Sequence, residues 1–106
     1  MRAKTFERIL KIKTNKAADA IVSFTDFQTH GALRAENVDG LPEADYGWLV
    51  GKDKEQFIVD HSRIRYIVRS YFTPIAWYAR GKWYKVKQKF SVTTSKHQGQ
   101  LYKINE

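Results

Sequence analysis

The sequence predicts a small α+β fold, an antiparallel β-sheet meander with one or two short helices. A chain of 106 residues has room for one domain, residues 1–106. Its C-terminal half contains three segments rich in β-branched and aromatic residues, and turn signals separate them. A Ser/Thr-rich segment after them is typical of a helix N-terminus. Together these observations predict a sheet with a closing helix.

The first half of the chain gives weaker signals. Residues 5–13 fit helical spacing slightly better than the alternation of an edge strand, so both elements remain open there. Asn15 is a candidate cap for a short turn over residues 16–20. The apolar run at 21–24 predicts a strand, and alternation over residues 27–35 predicts a second one.

The middle of the chain is expected to alternate loops and short strands. Residues 37–45 predict a surface loop, because they contain an Asp-Gly pair and a proline. A strand is expected at 46–50, a polar turn at 51–54 and another short strand at 56–60. These segments would add strands to the sheet.

The C-terminal half carries the strongest strand signals. Residues 65–71, 74–79 and 82–90 are the three β-rich segments. Gly81 can supply the positive φ that a tight hairpin requires. Arg80 is a poor first residue for such a turn, so the length of the loop that joins the last two strands stays open at this point, and a two-residue loop at Arg80 and Gly81 is one alternative.

A short closing helix is predicted over residues 96–105. Ser and Thr at 91–95 are preferred N-cap residues, and Leu101 and Ile104 have the spacing to pack the helix on the sheet. Gly99 lowers helix stability by about 1 kcal/mol relative to Ala. Such an N-terminus can also hold an anion, but an ordinary cap is the simpler interpretation.

The hairpin register assigns side chains to the two faces of the sheet. A two-residue loop places Tyr78 opposite Trp83, and the neighbouring pairs follow from it. A slip of one residue would bury three lysines, and this cost fixes the register. The predicted core face carries Ile75, Trp77, Tyr84, Val86 and Phe90, and the other face carries Tyr78, Trp83, Lys85, Lys87 and Lys89.

Charge is distributed unevenly between the two halves of the chain. Residues 1–60 hold nine Lys and Arg against ten Asp and Glu, a net charge of −1. Residues 61–106 hold ten Lys and Arg against one Glu, a net charge of +9. This imbalance indicates an anionic partner for the basic half, although a basic surface can also serve solubility alone.

The face that carries the lysines is the main candidate for function. Lysines at every second position form a ladder with a spacing of about 6–7 Å, which is close to that of phosphates along an extended strand. The two aromatic rings beside them can stack on bases. We therefore expect binding of single-stranded DNA or RNA, largely without sequence specificity. The alternative is an edge strand protected by charge.

Three arginines are expected to extend this surface. Arg65 and Arg69 share parity on their strand, and Arg80 adjoins the ladder. For Arg65 and Arg69, pairing with the acidic loop around Glu43 and Asp45 is an alternative of at least equal weight. The predicted nucleic-acid-binding residues are Lys85, Lys87, Lys89, Trp83, Tyr78, Arg65, Arg69 and Arg80.

Catalysis, metal binding and membrane insertion have little support. The absence of cysteine removes disulfides, thiolate nucleophiles and cysteine-based zinc sites. The three histidines are scattered, and no Gly-rich phosphate loop or nucleophile elbow occurs. No apolar run approaches the ~18 residues of a membrane span, and the start lacks a signal peptide. We expect a cytoplasmic protein that is not an enzyme and uses no cofactor or metal.

Three stretches carry a resemblance to a known family: SYFTPIAW at 70–77, GKWY at 81–84 and FSVTTSKHQ at 90–98. Over residues 64–98 the chain resembles a family of small uncharacterised proteins carried by bacteriophages and other mobile elements. The resemblance implies a bacterial host cytoplasm and transfers no catalytic or binding residue. Members often have an acidic residue before the turn glycine, where this chain has Arg80. Because such proteins often bind host proteins, docking on an acidic host protein is the second hypothesis.

Overall fold

A six-stranded sheet, ordered β1 to β6, forms the centre of the computed structural model. The structure describes residues 10–29, 31–38 and 44–106, so parts of the segments predicted at 5–13 and 37–45 lie outside it. All neighbouring strands are antiparallel except β1 and β2, and this arrangement confirms the α+β meander. The strands are β1 (Leu10–Ile12), β2 (Phe27–Thr29), β3 (Leu33–Asn37), β4 (Ile64–Ser70), β5 (Thr73–Ala79) and β6 (Lys82–Lys85).

The described residues also form three α-helices, α1 (Ala17–Val22), α2 (Gly51–Asp60) and α3 (Val92–Gln98), one more than the upper expectation. Ser91 caps α3, because its hydroxyl accepts a hydrogen bond from the Thr94 backbone N–H at 3.4 Å. The closing helix therefore exists, but it begins and ends earlier than predicted. None of the helices in the described ranges is long and apolar enough to cross a bilayer.

Several elements near the N-terminus differ from the predictions. The described end of the first predicted segment is the strand β1, which was the alternative to a helix. Asn15 lies inside a 3-10 turn instead of capping one. The run at 21–24, which was predicted to be a strand, contains the last two residues of α1. Ala17 and Ile21 lie one helical turn apart and are both fully buried, as expected for a helix that packs one face on the sheet. The single strand predicted at 27–35 is the antiparallel pair of β2 and β3.

The largest difference between the predicted and the observed elements lies in the middle of the chain. The turn and strand predicted over residues 51–60 are the helix α2, and the strand predicted at 46–50 is irregular. Phe57 is buried while the adjacent Ile58 and Val59 are both exposed. One buried position followed by two exposed ones fits a helix with a single buried face and contradicts the alternation of a strand.

The C-terminal hairpin matches its prediction closely. Strands β4 and β5 lie where they were expected, and Tyr78 is opposite Trp83 across β5 and β6. Arg80 and Gly81 form the two-residue loop with φ values of 57° and 80°. Two successive positive φ values are the geometry of a type I′ turn, whose twist suits a hairpin.

Both faces of the sheet are covered, although the sequence predicted an open basic face. On one face Ile21 of α1 packs with Tyr66 and Leu101. On the other face Phe57 of α2 packs with Trp77. The predicted stacking residues on the first face are therefore partly buried, and a ligand must be sought along the edges and ends of the sheet.

Candidate nucleic-acid interface

The predicted strand over residues 82–90 ends at Lys85, and after the bond from the Val86 N–H to the Ile75 carbonyl of β5 the chain continues as an extended segment that is not assigned to a strand. The carboxylate of Asp53 in α2 takes the place of a neighbouring strand. It accepts hydrogen bonds from the backbone N–H groups of Lys87 at 3.2 Å and Gln88 at 2.8 Å. The second half of the predicted ladder is thus held by a side chain and not by a sheet.

The side-chain alternation that predicted the ladder persists through this segment. Lys87 and Lys89 are exposed, while Val86 is buried and Gln88 and Phe90 are half-buried. The amide of Gln98 donates to two backbone carbonyls of the segment at 3.2 Å, which fixes it further. The two lysines therefore emerge on one side of a well-held, extended chain.

Lys85 and Lys87 have partners within the chain. The Lys85 Nζ donates to the Ile104 carbonyl at 3.0 Å. The Lys87 Nζ lies 2.7 and 2.6 Å from the two carboxylate oxygens of Glu106, and the Lys85 backbone N–H donates to the same carboxylate at 3.2 Å. Burial alone would raise the pKa of Glu106, but the hydrogen bonds and charges of the two lysines lower it overall. A charged carboxylate is therefore bound to the centre of the predicted ladder.

The aromatic residues of the predicted face belong to a packed cluster. The ring of Phe24 stacks on Trp83 with a centroid distance of 5.4 Å and an interplanar angle of 11°. It also meets Tyr66 and Tyr78 edge to face, at 5.4 and 4.9 Å. Burial raises the pKa of Tyr66, whose hydroxyl donates to a backbone carbonyl at 2.6 Å. Tyr78 and Trp83 therefore act mainly in packing.

The register of β3 with β4 is continuous from Arg69 to Tyr66, and the Val38 N–H donates to the Arg65 carbonyl at 2.8 Å, so Arg65 and Arg69 keep the predicted shared parity but differ in exposure. Arg65 is exposed, whereas Arg69 is buried. The Arg69 Nη1 donates to the carbonyls of Asp45 and Phe72, at 2.7 Å each. These bonds tie the loop before α2 to the β4–β5 turn, where Tyr71 has a φ of 58°. Arg69 thus shapes a surface instead of presenting its charge.

The remaining predicted arginine, Arg80, gathers with other cations at one end of the sheet. Arg80 and Lys82 flank the tip of the β5–β6 hairpin, and the exposed Arg65 lies near them on β4. A cleft of about 430 Å³ beside β6 is lined by both of these hairpin residues, by Trp83 and by Glu106. The cleft therefore connects the hairpin tip with the carboxylate at the centre of the ladder.

A groove of about 630 Å³ opens at the opposite end of the extended segment. Its walls include Trp48, Val50, Tyr71 and Phe90. Trp48 is 77% exposed, which is unusual for the largest apolar side chain, and two of the other walls are exposed as well. The groove could not be predicted from the sequence, because it joins segments that are far apart in the chain.

The walls of the groove are held by hydrogen bonds to the backbone. The Trp48 N–H donates to the Thr73 hydroxyl at 2.9 Å, and its carbonyl accepts from the amide of Gln88 at 2.8 Å. The same Gln88 amide accepts from the Val50 N–H at 2.9 Å. Gly47, with a φ of 56°, touches Thr73 so closely that a Cβ would lie 2.2 Å from its hydroxyl. The exposed indole therefore projects from a rigid support.

The floor of the groove contains a buried hydroxyl pair. The Ser70 Oγ lies 3.1 Å from the Thr94 Oγ1 and 2.6 Å from the Nδ1 of His97. Burial lowers the pKa of His97, which keeps its ring neutral at pH 7. A serine beside a histidine is also how nucleophiles are activated. However, Ser70 is 1% and His97 4% exposed, so we interpret the network as support for the floor.

Comparisons with known proteins identify a family for most of the chain. Residues 21–105 match the model of a family of unknown function, DUF8033. No curated protein and no solved structure matches the chain. Within the described part of the chain, no group of three or more acidic or histidine side chains is arranged to hold a metal ion. The match contains the groove, β6 and the extended segment, and it confirms the resemblance to an uncharacterised family.

Proposed function

The chain belongs to the DUF8033 family, whose function is unknown. From the geometry of the chain, we propose that it binds single-stranded nucleic acid. The strand would run along the edge formed by β6 and the extended segment that follows it. We call this surface the β6 track. Its cations are Arg80, Lys82, Lys87 and Lys89, and it ends in the groove lined by Trp48, Tyr71 and Phe90.

The observation that carries the proposal is the union of charge and aromatic surface in one stretch of chain. Lys87 and Lys89 are exposed and alternate with Gln88 and Phe90, which line the groove. Alternate residues of an extended chain lie about 6–7 Å apart, near the phosphate spacing of an extended strand. Base stacking on an exposed aromatic ring contributes about 1–3 kcal/mol per base. One nucleic-acid strand can therefore use both kinds of contact together.

The dimensions and chemistry of the track favour single strands. Nine residues, 82–90, span about 26 Å when extended, which accommodates about four nucleotides. Bases must be unstacked to enter the groove, and this is cheaper for a single strand than for a duplex. Phosphate contacts and stacking carry little sequence information, so binding is expected to be largely independent of sequence.

The roles of the residues predicted from sequence change in this proposal. Trp48 and Tyr71 take the stacking role that had been expected of Trp83 and Tyr78. The Arg69 side chain ties the loop before α2 to the β4–β5 turn beside the groove and does not bind a phosphate in this proposal. Of the predicted cations, Arg80, Lys87 and Lys89 belong to the β6 track and Lys85 contributes its backbone N–H, whereas Arg65 lies outside the track on β4.

A second candidate is docking on an acidic host protein. The exposed side chains of Trp48 and Val50 support it, because large exposed apolar groups often mark protein interfaces. An origin in a phage or mobile element, acting in a bacterial cytoplasm, would suit this role. For this candidate we expect the chain to capture a host protein even after nuclease treatment, and to lose that capture when the Trp48 side chain is removed.

Tryptophan fluorescence tests the nucleic-acid proposal directly. We expect oligothymidylate and single-stranded RNA to quench the wild-type protein more strongly than a duplex of equal length. The affinity should fall as salt rises, because phosphate contacts release counterions. Trp77 is fully buried and Trp83 is half-buried and stacked on Phe24, so most of the quenching should be lost in Trp48→Phe while anisotropy of a labelled oligomer still reports binding. Absence of binding to all three ligands at low salt would refute the proposal.

A further inference from the structure

The carboxylate of Glu106 lies on the β6 track where a phosphate would be expected. Its oxygens accept from the Lys87 Nζ at 2.6 and 2.7 Å, and one of them accepts from the Lys85 backbone N–H at 3.2 Å. An ammonium beside a backbone N–H is a donor set that proteins use for nucleic-acid phosphates. We infer that Lys85 and Lys87 form a site for one backbone phosphate, and that Glu106 occupies this site in the free protein. The inference rests on the proposed function.

The backbone geometry of β6 makes the Lys85 N–H available to an external anion. The Val86 N–H donates to the Ile75 carbonyl across the sheet at 3.0 Å, and Lys85 lies opposite Ala76. Successive residues of an edge strand direct their N–H groups alternately towards the neighbouring strand and away from the sheet. The Lys85 N–H therefore points outwards, and among the described groups the Glu106 carboxylate accepts from it.

Glu106 is held loosely enough to be displaced. The Lys87 side chain is 62% exposed and that of Glu106 is 38% exposed, so water screens their attraction. The chain before Glu106 is anchored separately, because Ile104 is buried in the core. Rotation of the Glu106 side chain would free the two donors and leave the core packing unchanged.

The anion site lies at the middle of the β6 track. On one side the cleft that Glu106 lines continues to Lys82 and Arg80. On the other side the extended segment leads through Lys89 to the groove. A strand that crosses the whole track must pass this site, so its phosphate competes directly with the carboxylate.

Neutralising Glu106 tests the inference, and Asp19 supplies a matched control. Glu106→Gln removes the charge at the site, while Asp19→Asn removes a surface carboxylate that pairs with Lys103 instead. Both changes raise the net charge by one. For an exposed ion pair we expect Glu106→Gln to bind oligothymidylate about three- to fivefold more tightly than Asp19→Asn at low salt. Adding Lys87→Gln should cancel that gain.

A second measurement separates this site from nucleic-acid binding as a whole. Inorganic phosphate should shift the NMR signal of the Lys85 amide in Glu106→Gln, and much less in wild type or Asp19→Asn. A shift with phosphate but no binding of the oligomer would keep the anion site and refute the proposed function. Equal oligomer affinities in Glu106→Gln and Asp19→Asn, with no phosphate shift at Lys85, would refute the inference and leave the proposed function standing. Thermal unfolding checks that every variant folds.

Discussion

The two ends of the β6 track differ in charge and in how firmly their side chains are held. At the hairpin end, Arg80 and Lys82 are exposed, and the polar contacts of the Arg80 side chain with described residues are long, at 3.3 Å to the Val59 carbonyl and 4.0 Å to Asp60. At the groove end, Trp48 is exposed, but hydrogen bonds fix its backbone on both sides. Long cationic side chains can follow a phosphate, whereas a stacking platform must be in place beforehand.

This difference assigns separate tasks to the two ends. Phosphate contacts tolerate small shifts of the strand, because charge attraction varies slowly with distance. Stacking requires a ring to face a base at a set separation. The hairpin end therefore suits capture of any polyanion, and the groove end suits discrimination of unstacked bases from a duplex.

Removing the Asp53 carboxylate, which holds the extended segment between the two ends of the β6 track, should have the largest effect. Asp53 accepts from the backbone of Lys87 and Gln88 and from the Tyr84 hydroxyl at 2.6 Å. Asp53→Ala leaves these donors unsatisfied, and we expect it to lower the free energy of unfolding by about 2–4 kcal/mol. Urea denaturation measures this. Glu55→Ala, an exposed change in the same helix, is the control, and equal stability of the two variants would mean that Asp53 does not hold the segment.

Removing the stacking platform should weaken binding next most strongly. Trp48→Ala is expected to reduce affinity for oligothymidylate about tenfold, since base stacking contributes about 1–3 kcal/mol. Stability should hardly change, because the indole is exposed. Trp48→Phe keeps a ring and should lose far less affinity. If both substitutions weaken binding equally, the groove does not act through stacking and its wall is only a scaffold.

The contrast between the ends also explains which parts could be predicted from sequence. The hairpin end is built by local rules: Gly81 permits the turn, and the alternation around Lys87 and Lys89 fixes the exposed side. Those features could be predicted and are observed. The strand β6 ends at Lys85, and beyond it the backbone of Lys87 and Gln88 is held by Asp53, a contact between distant parts of the chain that no local pattern predicts.

The groove end could not be predicted because distant segments meet there. Trp48 and Val50 precede α2, Tyr71 is in a turn, and Phe90 follows the sheet. Nothing near Trp48 in the sequence marks it as exposed, and its neighbours even suggested a strand. Arg69 was predicted as a phosphate ligand for a similar reason, since the carbonyls of Asp45 and Phe72 that hold its side chain belong to a loop and a turn outside β4.

Removing one cation at the hairpin end should have the smallest effect and a different character. Lys82→Gln is expected to weaken binding about two- to threefold for every base composition, and to reduce the salt slope by about 0.7. Lys16→Gln removes an exposed lysine next to α1, outside the track, and should change little. Salt titrations with oligothymidylate and oligoadenylate compare the two variants. If they lose affinity equally, the hairpin end contributes only net charge. The distinction between capture and discrimination then fails, because the groove and the adjoining lysines would bind the strand by themselves.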